Sequence, residues 1–223
     1  MHTRMKPTLG SIRKLMPRWA MTYRQALRAA EKQATRLARA WQAENRAISE
    51  KDITSLTRML IVRGDEQQRE HVCHSGSCRY EKGKWIIWLN PTETAARQRF
   101  TLAHELKHIL DAGSLVEMIY RRLSAEEVER VCDHFAASLL MSKQAVYHLW
   151  GDGLRTPEAL AMACHVSVSA MRRRMDTLGL PTDLDEPVIE GYTDAFPPLH
   201  ISDTLPDSFT QDTANVVTPG ATI

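Results

Sequence analysis

The chain has 223 residues, 43% of them hydrophobic and 25% charged, with a formal net charge of +2. Length and apolar content exclude a collagen, a disulfide mini-scaffold and a wholly disordered chain. No uncharged apolar run approaches the roughly 18 residues of a membrane span, so no transmembrane helix is expected. The small net charge hides two opposed ends. Residues 1–50 carry eleven Lys/Arg against three Glu, and residues 181–223 carry eight acids with no Lys or Arg. Cys73, Cys78, Cys132 and Cys164 are too few for a disulfide framework, and free thiols in a reducing cytoplasm are expected.

In chain order, the first thirty residues contain no acid and no hydrophobic h-region, so a secretory signal is not expected. Residues 1–21 read as a loose extension. From Thr22 to Ala47, Tyr23, Leu27, Ala30, Ala34, Leu37 and Trp41 recur at steps of three and four, which predicts a long amphipathic helix with Arg24, Arg28, Lys32, Arg36 and Arg39 around it. Residues 53–62 suggest a second short helix, and 63–83 read as polar loops. Lys84–Leu89 (KWIIWL) is the clearest strand, stopped by Asn90-Pro91. Helical spacing then runs from about Thr92 to Asp111. Ser124 with Glu127 forms a capping box that opens a helix reaching about Met141. Thr156-Pro157 opens another, and a last helix runs from near Ser167 to Gly179. The acidic tail 181–223, rich in Pro, Asp and Thr, reads as disordered.

The segment with chemistry is His104-Glu105-Leu106-Lys107-His108. Residues four apart share a helix face, so both imidazoles can reach one metal ion. Glu105 is then placed to act on an attacking water rather than on the metal. A third ligand must come from another element, and Glu117, Glu126, Glu127, Glu129, Asp133 and His134 are the candidates. Glu129 and Asp133 lie four apart on one face, an arrangement that would let Glu129 bind zinc while Asp133 orients His104 through its second ring nitrogen. Lys107 is expected to point sideways to solvent. Tyr120, Tyr147, His134 and His148 are candidates for stabilising the oxyanion, with no basis for choosing among them.

The run Arg97 to His108 (RQRFTLAHELKH), preceded by Asn90-Pro91 and followed by Phe135 to Met141 (FAASLLM), resembles the ImmA/IrrE family of cytoplasmic metallopeptidases. The resemblance covers roughly residues 84–180. It implies a mainly α, α+β zincin-like fold with a small β-sheet, one zinc per chain, Glu129 as third ligand and Asp133 at the adjoining position. It also implies a protein substrate, typically a helix-turn-helix repressor. The family usually has Gly where this chain has Lys107, and Pro where it has Ser142. Manganese or cobalt could replace zinc in a His/His/Glu site.

The expected organisation is a basic N-terminal extension with an amphipathic helix (1–50), a zincin-like metallopeptidase domain (51–155), a helix-turn-helix-like segment packed on it (156–180), and the acidic tail (181–223). Residues 160–180 offer Arg172, Arg173 and Arg174 as DNA contacts, although three adjacent arginines cannot all face one groove. Cys73 and Cys78 read as loop cysteines without metal. The strand at residues 85–89 could pair with an extended substrate. The main expectation is a zinc-dependent peptidase that cleaves a regulatory protein. Its rival is a DNA- or repressor-binding regulator whose metal is structural or sensory.

Overall fold

A computed structural model describes residues 6–43, 46–64, 75–113 and 116–182. The tail beyond 182, together with Cys73 and His74, lies outside the described residues. The order of elements is α1 (Leu9–Arg13), α2 (Tyr23–Ala40), α3 (Glu50–Thr54), β1 (Met59–Arg63), β2 (Gly76–Glu81), β3 (Lys84–Leu89), α4 (Ala95–Asp111), α5 (Val116–Tyr120), α6 (Ala125–Leu140), α7 (Lys143–Gly151), α8 (Pro157–Cys164) and α9 (Val168–Leu178). The fold is mainly α with one small sheet, the α+β zincin-like class expected.

The helices begin where side-chain oxygens meet free backbone N–H groups. Thr22 with Gln25, Ser49 with Asp52 and Ser124 with Glu127 form reciprocal capping boxes at α2, α3 and α6. Pro157 occupies the first turn of α8, where its missing N–H costs nothing. Helix α2 stops at Ala40, seven residues short of the expected end, because Gln42 turns left-handed at φ 57°.

Helix α6 is central, packing on α2 along one side and α4 along another. Ala30, Ala34, Leu37, Leu106, Phe135 and Leu139 are fully buried there. At roughly 1.5–3 kcal/mol for each large apolar side chain, this burial supplies most of the stabilisation. The basic head is therefore part of the core. So is the segment expected to be loose: Ile12 and Met21 are buried. Arg13 donates from Nε and Nη2 to the carbonyls of Leu110 and Ile109 at 3.0 and 2.7 Å, satisfying the C-terminal end of α4. That contact spans almost a hundred residues, which local pattern cannot reveal.

The sheet has the order β1-β3-β2, with β3 parallel to β1 and antiparallel to β2. Residues 53–62 are thus not one helix but the end of α3 followed by β1. Part of the stretch read as loop is β2. The two strands of the β2–β3 hairpin are joined by Lys82-Gly83, both at positive φ (48° and 81°), as a tight two-residue turn requires. Because β3 is paired on both sides, the strand expected to accept substrate has no free edge. Among the described residues the edge beside α4 is β2.

Gly76 is what allows β2 to lie so close to α4. A Cβ there would meet Thr101 Cγ2 at 2.5 Å and the Trp88 carbonyl oxygen at 2.7 Å. No helix among the described residues is long and apolar enough to cross a membrane.

Candidate metal centre

Helix α4 starts at Thr94, whose hydroxyl accepts from the Arg97 N–H, and runs beneath β2. From that start, Arg97, Phe100, Thr101, His104 and His108 recur at three, four and seven residues and so share one face. Together with Ser75–Cys78, Glu105, Glu129 and Asp133 they line an open cleft of about 580 Å³. Helix α6 forms the opposite wall and brings Glu129 and Asp133 to the two imidazoles.

The polar atoms converge. Nε2 of His104 lies 3.1 Å from Nε2 of His108 and 3.1 Å from Oε2 of Glu129, and Nε2 of His108 lies 3.5 Å from Oε1 of Glu129. Four-coordinate zinc with bonds of about 2.0–2.1 Å sets its donors about 3.3 Å apart. The donor spacing fits such an ion. On its other nitrogen, Nδ1, His104 meets Oδ1 of Asp133 at 2.8 Å, which leaves Nε2 turned toward the cleft. Burial disfavours protonated His104, but the hydrogen bond and charge of Asp133, with Glu105 and Glu129, outweigh it and raise the pKa above the ordinary imidazole value.

Cys132 also approaches. One donor atom from each of His104, His108 and Cys132 falls within 4.8 Å of the others. Yet Cys132 Sγ faces Nδ1 of His108 at 3.8 Å, the nitrogen turned away from Glu129. Burial, first of all, pushes this thiol's pKa well up. Glu129, by contrast, faces the Nε2 atoms of both histidines.

The other candidate ligands are elsewhere. Glu126 pairs with Arg130, Glu127 caps α6, and neither they nor Glu117 and His134 line the cleft. None of the four expected oxyanion donors lines it either. The Tyr120 hydroxyl donates to Asp111, the Tyr147 hydroxyl donates to the Leu178 carbonyl, and His148 pairs with Asp152. The cation that does line the cleft is Arg97, which donates from Nε and Nη2 to Ser75 Oγ at 3.3 and 3.0 Å. Its signal in the sequence was its place seven residues before His104, two helical turns along the same face.

Lys107 does not reach solvent. Its side chain is fully buried, with Nζ 2.5 and 2.7 Å from the Asp111 carboxylate and 3.0 Å from the Tyr120 hydroxyl. It therefore points away from the cleft. Ser142, the other departure from the family pattern, caps α7 by accepting from the Ala145 N–H. Cys78 lies on β2, not in a loop, and its thiol donates to the Glu105 carbonyl at 3.8 Å.

Helices α8 and α9 pack as a pair around a left-handed His165. The three arginines do not form a common surface. Arg174 is buried and donates to the Met141 carbonyl at 2.9 Å, Arg172 pairs with Glu158 at 2.8 Å, and among the described residues Arg173 forms no ion pair.

No curated protein matches the chain. A family model described as the IrrE N-terminal-like domain, a peptidase family, matches residues 64–176. That match spans half of the chain and the whole of the cleft described above, so the chain belongs to the IrrE N-terminal-like peptidase family, with a function of the metallopeptidase type.

Proposed function

We propose that the protein is a zinc-dependent endopeptidase that cleaves a regulatory protein, a helix-turn-helix transcriptional repressor. The observation that carries this reading is the convergence of His104 Nε2, His108 Nε2 and the Glu129 carboxylate at 3.1–3.5 Å at the floor of a cleft. These three groups would hold the ion, and the same donors would accept manganese or cobalt. When bound, a divalent metal polarises the scissile carbonyl and acidifies the attacking water. Glu105, which lines the cleft beside His104, takes the proton from that water and returns it to the leaving amine. Asp133 holds the His104 ring in place through Nδ1. The edge of β2 offers main-chain groups to an extended substrate, in place of the buried β3. Arg97 supplies the positive charge at the far end of the cleft.

The repressor as substrate rests on family membership. A cytoplasmic setting follows from the same reading and agrees with the free thiols of Cys78, Cys132 and Cys164. The regulator reading loses its DNA-contact set, since Arg174 is buried and Arg172 is paired. Metal analysis tests the site. Wild-type protein should carry about one zinc per chain, and His108→Ala should carry none. A full zinc content in His108→Ala would remove the proposed site.

A further inference from the structure

We infer that the exposed face of α2 is a docking track for the phosphate backbone of duplex DNA, independent of base sequence. This surface is separate from the cleft and from the arginines of α9. Ala26, Ala30, Ala34 and Leu37 bury one side of α2, while Arg24, Arg28, Lys32, Arg36 and Arg39 are exposed. Each four-residue step advances about 6 Å and turns about 40° around the axis, so the cations cover about 22 Å of helix length on a face roughly 120° wide.

Like charges four residues apart destabilise a helix, so this row does not serve α2 itself. Nor does it serve the fold. Among the described residues, Arg24, Arg28, Lys32 and Arg36 form no ion pair, and Arg39 donates only to the Gln144 side-chain oxygen. Elsewhere on the surface, Arg46, Arg63, Arg79 and Arg130 each pair with a carboxylate. The acid of α2, Glu31, is turned toward Arg174. Near the N-terminal end of the row, Lys14, Arg18 and Trp19 are also exposed, the tryptophan by 63%.

A regular polyanion is the partner that fits a broad basic face whose acid, Glu31, is turned aside. Duplex DNA presents a charge about every 1.7 Å of its axis whatever the base sequence, so cations spread over such a face lie near phosphates without a matched register. An acidic protein would need its own matched row of carboxylates. A membrane is a poor fit, because the apolar side of α2 is already buried in the core and cannot enter a bilayer. If the substrate is a DNA-bound repressor, such a track would hold the enzyme where that substrate sits.

The test is fluorescence anisotropy of the full chain with a labelled random-sequence duplex of about 30 base pairs, titrated over a range of salt. With four to five phosphates neutralised, log K should fall against log salt with a slope near about −4. The variant R24Q/R28Q/K32Q/R36Q should lose binding at low salt by at least about 100-fold and flatten the slope to about −1 or less. Glutamine is a good helix former, and the single variant R28Q alone should reduce the slope by about 0.9. R172Q/R173Q should bind like wild type. No wild-type binding at low salt, or an unchanged slope in the four-site variant, would overturn the proposal. So would displacement of the duplex by polyglutamate at equal charge, which would assign the row to an acidic protein. Tighter binding to phosphatidylserine vesicles than to DNA would overturn it in favour of a membrane surface.

Discussion

Oδ1 of Asp133 stands 2.8 Å from Nδ1 of His104, while the opposite nitrogen of the same ring lies 3.1 Å from Glu129. One turn of α6 thus brings two carboxylates to the same imidazole, and on the proposed reading one holds the metal while the other fixes the ring. Removing such an orienting carboxylate typically weakens metal binding 10–100-fold. Asp133→Ala should show about that loss in a chelator competition, with its fold intact. Glu126→Ala, on the same helix but paired with Arg130 outside the cleft, should bind metal like wild type.

The buried Lys107–Asp111 pair makes a second prediction. Truncating one partner of a buried pair strands the other charge, and Lys107→Ala should cost about 3–5 kcal/mol of stability in urea unfolding. Replacing both partners together, Lys107→Met with Asp111→Leu, should recover most of the loss. A Lys107→Ala variant as stable as wild type would mean that the ammonium is not held as described.

At Gly76, even one added methyl group has nowhere to go between Thr101 and the Trp88 carbonyl. Gly76→Ala should destabilise the protein by about 1–3 kcal/mol, as overpacking does. Hydrogen exchange should show β2 amides opening faster while those of α6 stay protected.

Acid sensitivity should appear at Asp52. Burial opposes its ionisation, but hydrogen bonds from Arg46 and Ser49 outweigh that and lower its pKa from 3.8 to about 2. A depressed carboxyl pKa stabilises the fold above the unfolded value and loses that contribution as pH falls through the folded one. Asp52→Asn should therefore be less stable than wild type at neutral pH. The difference should shrink between pH 3.8 and about 2, measured by thermal unfolding across that range.

Features set by neighbours in sequence were legible before any coordinates. The i, i+4 histidines, the capping box at Ser124 and the KWIIWL strand each rest on contacts within one element. The pairing of Glu129 with Asp133 on one helix face was legible for the same reason. What escaped was set by long-range packing. Strand β2 has little apolar pattern of its own, and its partner β3 defines it. Its one local signal was the Lys82-Gly83 turn. Helix α1 is held by Arg13 against the end of α4. Lys107 looked like a solvent residue because its partner Tyr120 arrives from α5, an element too short for periodicity to mark.

The most direct test of the account is a mass-spectrometric comparison of protein N-termini in cells producing wild type or Glu105→Gln, with metal content measured on both purified proteins. On the proposed reading Glu105 moves the proton and does not hold the ion, so both proteins should carry about one metal per chain. New N-termini, including one within a helix-turn-helix regulator, should appear with wild type and fall by about 10²–10⁴ with the variant. Identical sets of N-termini from the two, at equal metal content, would contradict the peptidase reading.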